Sequence, residues 1–465
     1  MSTTPSRRPR PGLAIAAAAT LVGGVVVLLP SAAVAGGDPQ GGDPQGGGYS
    51  HGGGHDGGHG QGPGGGHRHE GRSVIFVNGD GMGAAHREAA RLDQEGFDGR
   101  LAMDSLPVAG LQTTDARDPE DTVTDSAAAA SAWATGVKTY NGAISVDVDG
   151  EPLLPLGTEA AQAGLSTGLV TTAQVTDASP AAFFSNSTDR YAQDDIARQY
   201  LEVSRPQVVL GGGEDWWLPA GDEGEHAPRT GDTEDPEVSR STQGDLVEQA
   251  EELGYDHVST AEELAASDAD QLLGLFANEE MFQQRPEGQG DEFDPEVSLA
   301  DMTTRALDVL SEDEDGFFLL VEEEAVDEMS HVNNGARVLE AMRSLDAAVE
   351  VARAFVAEHP DTLLIVTGDH ECGGLTIEDV DPTDESGPNG TLEQEVPIDG
   401  ETESGEDGPF TVAGAEEHDF ALDWTTTGHT GVPTVLTAEG PGSEALGGYQ
   451  PNTHLHEVMR EVLLG

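Results

Sequence analysis

The chain has 465 residues, with 87 Asp or Glu against 21 Lys or Arg, so its formal net charge is −66. A surface this negative repels nucleic acid and anionic membranes, which excludes both as expected partners. It also repels phosphate esters, so a phosphate-binding site would need local positive charge. Dense surface carboxylate fits either an adaptation to high salt or an ordinary acidic secreted protein.

Residues 1–35 have the pattern of a signal peptide. A basic region with Arg7 and Arg8 precedes an apolar run, 13–29, and the small-x-small sequence at 33–35 is typical of a cleavage site. The paired arginines also fit twin-arginine export, and the long apolar run fits an uncleaved anchor. We expect a secreted or cell-envelope protein with no stable membrane partner after cleavage.

Residues 36–72 form a low-complexity stretch rich in glycine and histidine. Such a composition cannot bury a core, so we predict a disordered linker. Its histidines could hold zinc loosely or be incidental: His51, His55, His59, His67 and His69. Farther along the chain, Cys372 is the single cysteine, so an intramolecular disulfide is impossible.

The folded part is predicted to span 73–465 as one catalytic domain. Apolar runs typical of buried parallel strands recur along it: 74–77, 168–170, 208–210, 317–321 and 363–366. Helical patterns such as 336–357 separate them, which predicts an α/β fold with a mostly parallel central sheet and helices on both faces. Two acidic stretches, about 211–300 and 379–420, break this alternation and are interpreted as insertions near the active-site mouth.

Several residues suited to chemistry follow the predicted strands, where ligand sites of such sheets lie. Asp80 lies at the end of the first strand between Gly79 and Gly81, which allow a tight turn. A carboxylate there could approach a cation closely, or could simply form the turn.

Ser126 precedes a run of alanines, 127–130, that predicts a helix beginning at this serine. A helix N-terminus favours an anion, so Ser126 could act on a bound phosphate. The alternative is an ordinary N-cap. A nucleophilic role would require an activator, which a metal ion could supply.

Histidines and acidic residues follow later strands in patterns that suit metal binding. Asp327 and His331 are four residues apart, so on a helix they share a face. Asp369 and His370 follow the next strand, and His429 lies between small residues in a loop. Carboxylate and imidazole ligands in this number predict a site for several divalent ions.

These segments resemble the alkaline phosphatases. The Asp-Ser-Ala-Ala sequence around Ser126, the Val-Glu…Asp…His segment at 321–331, the Asp369-His370 pair and Gly428-His429-Thr430 occur in the family's order. Together they span most of 73–465. The resemblance implies an alkaline phosphatase-like fold and hydrolysis of phosphate monoesters through a phosphoserine on Ser126, releasing phosphate and an alcohol.

The resemblance also implies two zinc ions, one magnesium ion and a phosphate-clamping arginine, Arg190. The implied ligands are Asp327, His331 and His429 for the first zinc, Asp80, Asp369 and His370 for the second, and Asp80, Glu322 and Ser179 for magnesium. Family members are often dimers, so a homodimer is possible.

One departure concerns the substrate pocket: Glu328 follows Asp327, where several relatives carry Lys, His or Trp. An acid there adds no positive charge and could alter the identity of the third metal or the pH optimum.

Alternatives within the superfamily are a sulfatase, a phosphodiesterase or a phosphoglycerate mutase, although the alanines after Ser126 disfavour a sulfatase. A biosynthetic phosphatase acting on an aminoglycoside precursor would share the same core. A non-catalytic metal-binding protein built around the Gly/His tract is the alternative from another class.

Overall fold

A computed structural model describes residues 72–226, 238–380 and 406–465. The signal peptide predicted at 1–35, and the linker predicted at 36–72 apart from its last residue, lie outside these ranges. Within them, no helix combines the length and the apolar character that crossing a membrane requires.

Strands and helices alternate through most of the described chain. The strands are β1 (Ser73–Gly79), β2 (Val108–Thr113), β3 (Ser166–Gln174), β4 (Val208–Gly212), β5 (Asp256–Val258), β6 (Leu272–Leu275), β7 (Phe317–Glu323), β8 (Thr362–Thr367), β9 (Glu371–Cys372), β10 (Thr376–Asp379), β11 (Glu406–Thr411), β12 (Asp419–Asp423), β13 (His429–Thr430), β14 (Thr434–Glu439) and β15 (Gly448–Pro451). The α-helices are α1 (Ala84–Glu95), α2 (Ser126–Thr135), α3 (Leu156–Ala163), α4 (Ala178–Phe184), α5 (Gln193–Gln199), α6 (Leu246–Glu252), α7 (Ala261–Ala266), α8 (Leu299–Leu310), α9 (Ala325–His331), α10 (Gly335–Glu358) and α11 (Thr453–Leu464). Short 3₁₀ turns occur at Met103–Ser105, Glu214–Trp216 and Ser443–Leu446, and a π-helical turn, Tyr200–Ser204, continues α5.

One large sheet organises the described residues, with the strand order β15-β2-β14-β8-β1-β7-β3-β4-β6-β5. From β8 through to β5 every neighbouring pair is parallel. Strand β14 is antiparallel to both of its neighbours, β2 and β8. The mostly parallel α/β sheet predicted from the sequence is therefore confirmed, and each apolar run predicted as a strand is a strand of this sheet.

The central strands are apolar on both faces because helices cover both faces. In β1, Val74 and Phe76 belong to the core beneath α2, α3, α4 and α11, whereas Ile75 and Val77 belong to the core beneath α1, α8 and α10. Phe76 meets Trp133 of α2 edge to face, with 4.9 Å between ring centroids. Because successive side chains of a strand point to opposite faces, a strand covered on both sides must be apolar at every position.

The stretch 211–300, interpreted from the sequence as an insertion, contributes strands to the main sheet. This stretch contains β5 and β6, which extend the main sheet beyond β4. Both strands are short and are flanked by acidic residues, so the apolar pattern that predicts a strand is weak in this part of the sequence. In the second predicted insertion, 379–420, β11 and β12 form a small antiparallel sheet with β10, and residues 381–405 lie outside the described ranges.

Asp346 of α10 ties this helix to the 3₁₀ turn before β2. Its two carboxylate oxygens accept hydrogen bonds from the Ala102 and Met103 N–H groups at 2.8 and 2.9 Å.

We expect Asp346→Ala to lower the free energy of unfolding by about 2–4 kcal/mol, because two buried donors lose their acceptor. Urea unfolding of the metal-loaded protein measures this. Glu350→Ala, at an exposed position of the same helix, should change stability by less than about 0.5 kcal/mol. Equal effects of the two variants would contradict this account.

Candidate active site

The register of the central strands brings polar residues together at the carboxyl ends of these strands. Asn78 of β1 lies opposite Glu322 of β7 and Thr367 of β8, and Thr171 of β3 lies opposite Glu322 from the other side. These residues stand at the carboxyl ends of parallel strands. The segments that follow, beginning with Asp80, therefore leave the sheet side by side.

Asp80 is placed by a turn that brings three aspartates together. Its N–H donates to the Glu323 carbonyl oxygen at 3.0 Å. The next residue, Gly81, has φ +68°, and its N–H donates to the Asp369 carboxylate at 3.0 Å. A Cβ atom on Gly81 would lie 2.5 Å from Asp327 Oδ1. Glycine is thus required here both by its backbone conformation and by the close approach of Asp327.

Ser126 is the first residue of α2 and not its N-cap. Asp125 is the cap, because its carboxylate accepts a hydrogen bond from the Ala128 N–H at 2.9 Å. The alternative that capping alone explains Ser126 is therefore wrong. The Ser126 side chain is directed into the candidate site, with Oγ 3.2 Å from His370 Nε2.

Two histidines point the same ring nitrogen at Asp327. The Nε2 atoms of His331 and His429 lie 3.0 and 3.5 Å from Asp327 Oδ2 and 3.2 Å from each other. Their Nδ1–H groups donate to the carbonyl oxygens of Thr427 and Thr124, at 2.6 and 3.0 Å. These hydrogen bonds leave both Nε2 atoms facing Asp327, the side on which a cation would bind. Burial alone would lower the pKa of His331, but its hydrogen bond with Asp327 raises it to about 9.

His370 joins this group to the other aspartates. Its Nε2 lies 3.6 Å from Asp80 Oδ1 and 3.1 Å from Asp369 Oδ2, and its Nδ1 lies 3.7 Å from Asp327 Oδ1. Each of these aspartate oxygens, and His370 Nδ1, is buried without a hydrogen-bond partner. Buried polar atoms without partners cost free energy, and here all of them are of the types that bind divalent cations. The residues present therefore fit metal ions.

Electrostatics supports the same conclusion. Burial, together with the charges of Asp369 and Asp327, raises the pKa of Asp80 well above its ordinary value. Burial and Asp327 raise the pKa of Asp369 to about 7. Burial and His429 lower the pKa of His370 well below its ordinary value. The protein alone does not balance these carboxylates, whereas divalent cations would stabilise their ionised forms.

A third group of oxygen ligands lies beside Asn78. Glu322 accepts hydrogen bonds from Asn78 Nδ2 at 3.2 Å and from the Thr171 hydroxyl at 2.8 Å. Asn78 Nδ2 also lies 3.3 Å from Ser179 Oγ, its second acceptor. Burial raises the pKa of Glu322 to about 7. Carboxylate and hydroxyl oxygens in this arrangement suit a hard cation such as Mg²⁺.

Arg190 is held near Ser126 by two aspartates. Its guanidinium lies 3.4 Å from Asp125 Oδ2 and donates to Asp177 at 3.1 and 3.4 Å. Burial alone would lower the pKa of Arg190, but Asp177 and Asp125 hold it above its ordinary value. The guanidinium therefore stays charged next to Asp125, the residue that precedes Ser126.

The structure places the residues proposed for catalysis and for the three metal ions in this region, whereas the linker histidines lie outside the described residues. It also adds residues that the sequence reasoning did not assign. Asp125 and Asp177 orient Arg190, and both stand in segments already singled out for Ser126 and Ser179. Cys372, two residues after His370, lies in the same cluster. Glu328 lies beside Asp327, where burial and the Asp327 charge raise its pKa to about 7.

Clustered cation ligands beside a serine at a helix N-terminus are what metal-dependent phosphoryl transfer requires, and at the carboxyl ends of this sheet they indicate a metal-dependent phosphoryl-transfer enzyme. A family model described as alkaline phosphatase matches residues 71–464. The chain belongs to the alkaline phosphatase family. Its reaction is accordingly the metal-dependent hydrolysis of phosphate monoesters through a serine intermediate. This sets aside the sulfatase and the non-catalytic metal-binding protein.

Relatives support this assignment along most of the chain. Streptomycin-6-phosphate phosphatase of Streptomyces griseus is 33% identical over 84% of this chain and 90% of its own length. Alkaline phosphatase 4 of Bacillus subtilis is 33% identical over 66% of this chain, and the match spans 62% of that protein. The crystal structure of a cold-active alkaline phosphatase from Shewanella sp. superposes with a TM-score of 0.66 and 29% identity, covering 84% of this chain and all of that one.

The close approach of Gly81 to Asp327 gives a test of how the cluster is built. We expect Gly81→Ala to displace Asp327 and to weaken metal binding by about tenfold or more. Gly164→Ala is the matched control, because Gly164 also has positive φ (+93°) but a Cβ there meets nothing within 4 Å. The control should carry only the backbone strain, about 1 kcal/mol. Competition with a chelator measures metal affinity, and equal affinity in both variants would contradict the role of Gly81.

Proposed function

We propose that this chain hydrolyses phosphate monoesters with Ser126 as the nucleophile. The observation that carries the proposal is the position of Ser126 Oγ, at the start of α2 and 3.2 Å from His370 Nε2. There the hydroxyl faces the cluster of cation ligands, and the preceding residue, Asp125, contacts the Arg190 guanidinium. A lone serine at a helix end could not attack phosphorus, whereas one beside a metal cluster has an activator.

We assign the ions as two zinc and one magnesium, held by the residues of the three groups described above. The first zinc is assigned to Asp327, His331 and His429, the second to Asp80, Asp369 and His370, and magnesium to Asp80, Glu322 and Ser179. When bound, the ions supply Lewis-acid chemistry: they lower the pKa of the serine hydroxyl and stabilise charge on the attacking and leaving oxygens. Support comes from the buried oxygen and nitrogen atoms that lack hydrogen-bond partners.

The reaction then proceeds in two displacements at phosphorus. Ser126 Oγ gives its proton to solvent water and forms a bond to phosphorus as the bond from phosphorus to the alcohol oxygen breaks, and that oxygen takes a proton from solvent. A water molecule then attacks the phosphoserine, the Oγ–P bond breaks, and a proton from that water returns to Ser126 Oγ as phosphate leaves. Two in-line steps predict net retention of configuration at phosphorus.

Arg190 is proposed to bind the phosphoryl group. Its planar guanidinium can donate to two phosphoryl oxygens at once, and Asp125 and Asp177 fix its orientation. The same Asp125 also caps α2, the helix that carries Ser126. One carboxylate therefore holds both this helix and the Arg190 guanidinium. Substrate and nucleophile are thereby positioned together.

We further propose export from the cytoplasm, on the strength of the signal pattern at 1–35, with 36–72 as a linker to the catalytic domain. The homodimer expected from the family resemblance stays a prediction.

Removing the nucleophile tests the central claim. We expect Ser126→Ala to lower kcat for p-nitrophenyl phosphate by at least about 10³-fold, because the proposed intermediate forms on the hydroxyl that this change removes. Wild type mixed with phosphorus-labelled substrate and quenched in acid should retain label on serine, and Ser126→Ala should not. Ser311→Ala, an exposed serine after α8, should match wild type. Undiminished turnover by Ser126→Ala would overturn the mechanism.

Metal content tests the ion assignment. The purified protein should contain about two zinc and one magnesium per chain by mass spectrometry, and dialysis against a chelator should remove both its activity and part of its thermal stability. Glu322→Gln should lose magnesium while keeping zinc, since Glu322 belongs only to the third group. A variant that lost zinc and magnesium together would contradict the separation of the sites.

A further inference from the structure

Cys372 lies opposite a residue of the first metal group. Strands β9 and β13 form a short antiparallel ladder in which Cys372 is paired with His429. Residues directly opposite one another on such a ladder point to the same face, so the thiol and the imidazole project together. The Cys372 N–H donates to the Gly81 carbonyl oxygen at 3.0 Å, which ties the ladder to the turn after Asp80.

The Cys372 sulfur converges with three other donor atoms. One ligand atom each from Asp327, His331, His429 and Cys372 lies within 4.8 Å of all the others. Cys372 has no exposed surface. Asp327, which is 4% exposed, keeps its Oδ1 atom without a hydrogen-bond partner in this cluster. The other carboxylate oxygen, Oδ2, lies 3.0 and 3.5 Å from the Nε2 atoms of His331 and His429. A buried carboxylate, two imidazoles and a thiol this close together form a donor set that one divalent ion can bind.

We propose that Cys372 is a fourth protein ligand of the first metal site. The donor set then has two imidazole nitrogens, a carboxylate oxygen and a thiolate sulfur, which selects a soft divalent ion such as Zn²⁺ or Cd²⁺ over Mg²⁺. The inference rests on the proposed function, because that proposal assigns the other three ligands. The inference goes beyond the proposed function by naming a fourth ligand, which changes the ions that this site prefers.

The chemistry of binding balances. The thiol S–H bond breaks, its proton passes to solvent, and a sulfur–metal bond forms. One carboxylate and one thiolate would then neutralise a divalent charge, and two neutral imidazoles would complete a set of four protein donors. With four protein ligands in place, a substrate oxygen would have to enter by expanding the coordination or by displacing the sulfur. This makes Cys372 a candidate for controlling access to the ion.

Cobalt spectroscopy tests the proposal directly. The metal-free protein is loaded with Co²⁺ alone and its absorption is recorded. Cobalt held by imidazole and carboxylate gives weak visible bands, and a bound thiolate adds an intense sulfur-to-cobalt band in the near ultraviolet. Because the chain has a single cysteine, that band can come only from Cys372.

We expect both absorptions in the wild type. Visible bands without the sulfur band would overturn the inference and leave the three-ligand site intact. If no cobalt bound, the metal site of the proposed function would fail and this inference with it. The wild-type spectrum decides the question even if a cysteine variant fails to fold.

The variant Cys372→Ser supplies the matching measurement. It should keep the visible cobalt bands, lose the ultraviolet band, and bind Zn²⁺ and Cd²⁺ about tenfold or more weakly by chelator competition. Its Mg²⁺ affinity should be unchanged, because the oxygen ligands around Glu322 are untouched. Zinc and cadmium affinities equal to those of the wild type would overturn the proposal.

Discussion

Asp80, Asp327 and Asp369 occupy a buried volume at the ends of neighbouring strands, where their charges repel one another and water is largely excluded. Burial and mutual repulsion raise the pKa values of Asp80 and Asp369. Divalent cations would stabilise the ionised forms of these carboxylates, so cation binding should add to the stability of the folded site. The other features of the site serve to keep these carboxylates close.

The sheet provides the rigid support for that arrangement. Parallel register places Asn78, Glu322 and Thr171 side by side at the strand ends, so the following segments leave the sheet in fixed directions. The turn at Gly81 then brings Asp327 closer than any side chain would permit. Helix α2 presents Ser126 to the same point from the other side. Rigid elements hold each group, which is what preorganised catalysis needs.

The charge of the whole chain and the charge of the site have opposite effects on an anionic substrate. A formal net charge of −66 repels an anionic substrate at long range. Within the site, the Arg190 guanidinium and the bound cations attract it. Salt screens long-range repulsion between exposed charges much more than it screens contacts inside a buried site. The balance between substrate repulsion and substrate binding is consequently set by ionic strength.

The amino-acid sequence determined the fold class and the chemical character of the site. Short apolar runs that alternate with helical patterns favour buried parallel strands, and the residues that follow such strands lie at the carboxyl ends of one sheet. The sequence also placed Ser126 at a helix start, because alanines favour helix strongly. These conclusions depend on local preference and on the order of elements, both of which are visible along the chain.

Only the tertiary structure decided which groups touch. It showed that Asp125 caps α2 and contacts Arg190, that β5 and β6 extend the main sheet, and that Cys372 faces Asp327. Each of these depends on pairing between segments far apart in sequence, or on short strands whose apolar pattern is weak. Contacts of this kind are set by packing and register, which no local pattern encodes.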